Sequence, residues 1–133
     1  MAESCDVFFY DVAQKVGIEK ISEMGKTMGL GQRHDLPMSA ITEGILPTKE
    51  WKQARFNQDW RIGDTINASI GQGYVLAAPL QLAVMTARVA TGRLVVPRLV
   101  KAVDGVEVAI AKALPLGMET SHLQTVRSGM DQV

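Results

Sequence analysis

The sequence predicts an α+β fold, mainly helical, with one short β-hairpin and a modest core. Apolar residues recur at helical spacing in several short segments. A single Asp104-Gly105 pair separates two runs rich in β-branched residues, the pattern of a tight hairpin. With 133 residues, 47% hydrophobic and 21% charged, the chain has the size and composition of one small folded unit rather than a disordered segment.

The elements follow in order. Over residues 7–16, Phe8, Phe9, Val12, Ala13 and Val16 fall on one helical stripe, with Asp6 placed to accept backbone N–H bonds as N-cap. Gly17 stops that helix, and Ile18, Ile21, Met24 and Met28 form a second stripe closed by Gly29. Residues 30–47, with Gly31, Pro37, Gly44 and Pro47, hold no sustained period and predict a long irregular connection. Thr48 caps a short helix over 49–56, in which Trp51 and Phe56 are the expected anchors. Residues 64–70 predict a further turn or two of helix. Pro79 then opens a helix over 80–90 whose apolar residues cover nearly every face, so it is expected to be surrounded by protein. Runs 98–103 and 106–111 predict the hairpin, joined by a type I′ turn. Ser121 and Gln124 form a capping-box pattern ahead of Leu123, Val126 and Met130, the stripe of a final helix. No internal repeat is visible.

Bulk properties exclude several functions. Fourteen basic residues balance fourteen acidic ones, so no global field favours nucleic acid or an anionic lipid surface. The apolar runs over 74–80 and 94–96 are too short to span a bilayer, and no basic-then-apolar leader opens the chain, so neither a membrane segment nor a targeting signal is expected. One cysteine precludes an internal disulfide.

Three constellations invite chemistry. Ser4-Cys5-Asp6 places a hydroxyl, a thiol and a carboxylate at a helix entry, where the dipole and free N–H groups favour negative charge. The same tripeptide is equally a capped helix start. A hydrolase using Cys5 needs a partner histidine, and His34 and His122 both lie in segments expected to face solvent. One cysteine and two scattered histidines do not show metal-ligand spacing. The segment 51–61 interleaves Trp51, Phe56 and Trp60 with Lys52, Arg55 and Arg61. Either it is a nucleic-acid or carbohydrate platform, or a loop helix with aromatics inward and charges solvated; the neutral chain favours the second. Gly71-Gln72-Gly73 is followed by no Lys-Ser or Lys-Thr pair, so its glycines serve a tight turn or a close approach rather than a phosphate cradle.

Taken together, Ser4-Cys5-Asp6-Val7-Phe8-Phe9-Tyr10, Pro47-Thr48-Lys49-Glu50-Trp51-Lys52 and Ile70-Gly71-Gln72-Gly73-Tyr74 resemble, in order and approximate spacing, the elongation-specific penicillin-binding protein 2 family of class B peptidoglycan D,D-transpeptidases. The resemblance runs from Ser4 to about Gly92 and thins out afterwards. It implies the penicillin-binding/serine β-lactamase-like transpeptidase fold, with residues 1–133 a partial, mainly helical domain reaching from the second active-site motif to before the Lys-Ser/Thr-Gly strand. The family works with three motifs: Ser-x-x-Lys, carrying the acylated serine; Ser-x-Asn or Ser-x-Asp; and Lys-Ser/Thr-Gly. Only the second is present, as Ser4-Cys5-Asp6. The resemblance implies that Ser4 joins the proton relay to the leaving group, that Asp6 orients the substrate amide, and that Gly71-Gln72-Gly73 shapes the cleft. It implies no cofactor for catalysis. It also makes Cys5 a candidate ligand of a structural zinc ion whose other ligands, two Asp and one His, are absent from this sequence.

The implied substrates are peptidoglycan stem peptides, with β-lactams as acylating mimics and elongation-complex proteins as partners; nucleic acid is not expected. The implied setting is the inner membrane with a periplasmic catalytic domain. With no nucleophile motif, the chain by itself is expected to be inactive and to be a piece of a larger reading frame, whether a truncated gene or an excised segment. The uncovered face of the 80–90 helix is expected to promote self-association. The alternative is a non-catalytic helical interaction module derived from the same domain.

Overall fold

Glycine punctuation arranges the first two helices. The computed structural model describes residues 5–132, and its elements run α1 (Asp6–Val16), α2 (Ile18–Met28), α3 (Lys49–Phe56), α4 (Ile62–Ser69), α5 (Pro79–Thr91), β1 (Ala102–Val103), β2 (Val106–Glu107) and α6 (Thr120–Met130). Gly17 alone joins α1 to α2, its N–H bonding to Ala13 O at 2.8 Å. At the far end of α2, Gly29 adopts φ 99°, a left-handed conformation that a side chain resists. Gly29 N–H then bonds to Lys26 O and Leu30 N–H to Gly25 O, each at 2.9 Å, closing the helix in a Schellman motif.

Helix α2 sits centrally, touching α1, α4 and α5, while α1 lies along α4 and α6 rests on α5. The apolar core comes from Ala13, Ile18, Ala68, Val84, Val89 and Leu123, with Leu36 and Leu116 added from irregular segments. Arg127 Nε donates to Val89 O at 2.8 Å, fastening α6 to the last turn of α5.

Residues 30–47 are irregular, as expected, and their backbone groups need partners that no helix or sheet ladder supplies. Helix α5 provides them. Gln81, 1% exposed, donates from Nε2 to Gln32 O at 2.8 Å and to Glu43 O at 2.7 Å. Its Oε1 accepts from Ala78 N at 3.1 Å, so the same side chain also caps the helix it belongs to. About two turns further along α5, Arg88 donates to Thr27 O at 2.7 Å and Val95 O at 3.2 Å. Burial pushes its guanidinium pKa down from the ordinary value, yet an arginine stays charged in proteins. A reciprocal pair of bonds between Ile45 and Leu76, 2.7 and 2.9 Å, ties the end of the connection to the approach to α5.

Several expectations need correction. Helix α5 is not buried all round: Gln81, Val84, Arg88 and Val89 face the body, whereas Leu82 is 46% exposed. The buried face is thus half polar, because it serves backbone carbonyls as well as packing. Asp6 is the first helical residue rather than the N-cap; Cys5 holds that position with extended backbone. Glu119, not Ser121, occupies the N-cap position of α6, without a side-chain cap bond, and Ser121 Oγ donates to Glu119 Oε2 at 3.4 Å. The hairpin does turn at Asp104 (φ 50°) and Gly105 (φ 81°), as type I′ requires. Its strands, however, are only two residues each, pairing Ala102 with Glu107 and Val103 with Val106.

Replacing Gln81 with Leu keeps the volume but strands the Gln32 and Glu43 carbonyls and the Ala78 N–H. The expected cost is roughly 2–3 kcal/mol of folding stability, read as a lower urea midpoint at unchanged slope.

Candidate functional site

Helix α1, entered through Cys5 and begun by Asp6, packs along α4, the helix that leads into Gly71-Gln72-Gly73. Ser4 lies outside the described residues. Cys5 and Asp6 are both exposed, and Asp6 stands in the first turn of α1, where the helix dipole favours a carboxylate. Among the described residues, no hydrogen bond or ion pair joins Cys5 or Asp6 to the loop.

The loop is built from the end of α4. Gly71 N–H bonds to Ala68 O at 3.1 Å and Gln72 N–H to Asn67 O at 2.9 Å, turning the chain back over the helix terminus. Gly71 (φ 73°) and Gly73 (φ 70°) both take left-handed backbone, and a Cβ on Gly73 would come within 3.1 Å of Asn67 Cβ. Glycine is needed here for conformation at both positions and for space at the second. All three loop residues are exposed.

Beside the loop stands a cluster organised by α3. Thr48 Oγ1 accepts from Trp51 N at 3.1 Å, the expected cap. Trp51, Phe56 and Tyr74 form an aromatic trio with centroids 5.3 to 5.6 Å apart. Lys52, read from sequence as a solvated charge, is buried instead. Its side chain is 4% exposed, with Nζ 2.6 Å from Asp64 Oδ2 and 5.7 and 6.0 Å from the ring centres of Tyr74 and Trp60. The same Asp64 oxygen accepts from Arg61 N at 2.7 Å, capping α4, and Trp60 Nε1 donates to Thr65 Oγ1 at 2.8 Å. Burial alone would raise the Asp64 pKa. The hydrogen bonds from Lys52 and Arg61 and their positive charges outweigh it and hold the carboxyl below the ordinary range.

Sequence reasoning missed the Lys52–Asp64 pair because twelve residues separate its members and no helical or strand period links them. The one available signal is that Lys52 stands a helical turn before Phe56, already read as an anchor. His34 is also corrected. It is buried, with Nε2 3.1 Å from Gly29 O, while His122 is exposed beside Glu119. Neither histidine forms a pair with Cys5. Among the described residues no group of three or more His, Cys, Asp or Glu gathers as a metal site. A single exposed thiol does not fit a tetrahedral zinc site, and no step is assigned to zinc. A cavity of about 980 Å³ lined by residues 35–37, 94–100 and 108–114 includes none of the landmark residues.

Residues 1–133 match the family model described as the penicillin binding protein transpeptidase domain. The chain belongs to that family. It is 42% identical over 106 residues to the peptidoglycan D,D-transpeptidase MrdA of Haemophilus influenzae, a match covering 79% of this chain and 16% of that protein. The crystal structure of Pseudomonas aeruginosa PBP2 in complex with WCK 5153 superimposes with a TM-score of 0.88 at 35% identity, covering 99% of this chain and 31% of that one. PBP2 of Helicobacter pylori, in its complex with MreC, gives 0.82 at 36% identity, covering 98% of this chain and 24% of that one. The chain therefore spans part of a transpeptidase domain, and its mainly helical architecture with one hairpin matches those PBP2 structures.

Because the folded Asp64 pKa is depressed, its contribution to stability is fully present above the ordinary carboxylate value and is lost as pH falls through the folded value. Asp64→Asn is expected to destabilise the protein at neutral pH. Its deficit relative to wild type should shrink below about pH 4, as measured by denaturant midpoints across a pH series.

Proposed function

We propose that this chain is the second-motif segment of a serine-type peptidoglycan D,D-transpeptidase acting in cell-wall elongation. The observation that carries the proposal is the family match over all 133 residues, with a TM-score of 0.88 to a PBP2 at 35% identity. In the proposed reaction of the longer protein, a serine supplied by Ser-x-x-Lys attacks the carbonyl of a D-Ala-D-Ala stem peptide. The amide C–N bond breaks, and the departing D-Ala nitrogen takes up a proton. The amine of a neighbouring stem peptide then displaces the serine and forms the cross-link. Water in place of that amine gives carboxypeptidation.

Within this scheme Ser4 passes the proton toward the leaving nitrogen, and Asp6, exposed at the first turn of α1, orients the substrate amide. Gly71-Gln72-Gly73 borders the cleft. The packing of α1 on α4 supports treating Asp6 and the loop that follows α4 as parts of one wall. A β-lactam acylates the same serine in place of the stem peptide. Among the described residues no helix is long and apolar enough to cross a membrane. The longer protein's catalytic domain works outside the inner membrane, where peptidoglycan lies, and the complex of the Helicobacter pylori relative with MreC supports an elongation-complex partner.

A second reading, a non-catalytic interaction module, is favoured by the apolar surface that α1 and the hairpin region present, with Val7 73%, Phe8 59%, Ile110 70% and Leu114 70% exposed. Fluorescent penicillin separates the two. The 133-residue chain, which contains neither Ser-x-x-Lys nor Lys-Ser/Thr-Gly, is expected to remain unlabelled. In the full-length protein, labelling is expected, and Ser4→Ala should slow it by about 10²–10⁴-fold. A full-length protein that takes no label overturns the transpeptidase reading. Wild-type labelling rates in Ser4→Ala overturn the role given to that serine.

A further inference from the structure

We propose that Lys52 is a positioning residue for the Gly71-Gln72-Gly73 loop, holding both ends of the segment that carries it. The proposal rests on the reading of that loop as part of the transpeptidase cleft.

A lysine is rarely buried unless it is paired, and a lysine that only bridged two helices would need one carboxylate. Lys52 has more. Asp64, 2.6 Å from its ammonium, lies in the first turn of α4, ahead of the loop. Trp60, 6.0 Å away at the ring centre, lies just before α4. Tyr74, 5.7 Å away, is the residue immediately after Gly73. The chain therefore leaves this cation at residues 60–64, runs through α4 and the loop, and returns to it at residue 74. Helix α3 reinforces the return point, since Trp51 and Phe56 also close on the Tyr74 ring, at 5.3 and 5.4 Å.

The loop's own residues make few contacts, and beyond Tyr74 the chain is next tied at Leu76, bonded to Ile45 at 2.7 and 2.9 Å. The loop residues are exposed, and a Cβ built on Gly71 would touch nothing within 4 Å. Its backbone ties are the bonds back to Asn67 and Ala68 and a long one, 3.4 Å, from Val75 N to Gln72 O. Two left-handed glycines with few contacts form a hinge-prone turn. Its position is set by where its ends are held, and the ends share one ammonium group. A favourable cation–ring contact depends on that group being charged and desolvated, so an apolar side chain of equal length does not replace it.

The test uses the full-length protein with Lys52→Met, Lys52→Arg and Tyr74→Leu. Tyr74→Leu releases the trailing end of the loop without leaving a buried charge unpaired, so it remains informative should Lys52→Met fail to fold. Two readouts are combined: amide hydrogen exchange over residues 71–76 compared with α2, and the acylation rate constant for fluorescent penicillin separated from its binding constant. The expected result is exchange at least tenfold faster over the loop with α2 protection unchanged. Acylation should slow by about 10–100-fold with little change in binding, and Lys52→Arg should recover part of it. Unchanged loop exchange overturns the proposal, as does an equal loss of protection in the loop and α2, which would make Lys52 a structural residue only. Faster loop exchange with wild-type acylation also overturns the positioning role, while leaving the family reading intact. Absence of acylation in the unsubstituted protein is a different failure, that of the proposed function.

Discussion

An irregular segment of eighteen residues, 30–47, can be part of a folded body only if its buried backbone groups are satisfied from elsewhere. The Gln81 side chain meets that constraint at two points at once, bonding Gln32 O and Glu43 O while capping its own helix through Ala78 N. Arg88 extends the same service to Thr27 O, at the end of α2, and to Val95 O beyond α5. Helix α5 thus acts as a polar spine. Its buried face supplies donors as much as hydrophobic area, because unsatisfied carbonyls at these depths would cost more than seating Gln and Arg where apolar side chains could pack.

The consequence reaches the candidate site. With the long connection fixed, Ile45 pairs with Leu76, and Pro47 is held by Ser22 Oγ at 3.2 Å. Those two ties deliver the chain to Thr48 and the start of α3, and bring residues 74–76 alongside. Lys52 and the Trp51–Phe56–Tyr74 rings then meet Asp64 and Trp60. The loop that follows α4 is flanked by this cluster and by the Ile45–Leu76 tie.

Much of this was legible residue by residue. The Gly17 and Gly29 stops, the Thr48 cap, Pro79 at the start of α5 and the Asp104-Gly105 turn all act within a few positions of themselves, so local chemistry decides them. The family was legible because three contiguous blocks, Ser4 to Tyr10, Pro47 to Lys52 and Ile70 to Tyr74, resemble it in order and approximate spacing. The misreadings have a common cause as well. Lys52 and His34 are polar, and polar residues are usually solvated; Leu82 is apolar and on a helix that looked enclosed. Each was assigned by its own chemistry, yet burial depends on which distant segment lies opposite.

Backbone sterics, spacing and contiguous motifs were enough to define the helices, their stops, the hairpin turn and the transpeptidase ancestry, and all of these can be read along the chain. Tertiary packing alone made Gln81 and Arg88 interior donors and brought Lys52 to Asp64 across twelve residues. It also laid α1 on α4. The physical reason is that a buried polar group is tolerable only with its partner in place, and that partner is supplied by the fold rather than by the neighbours in sequence.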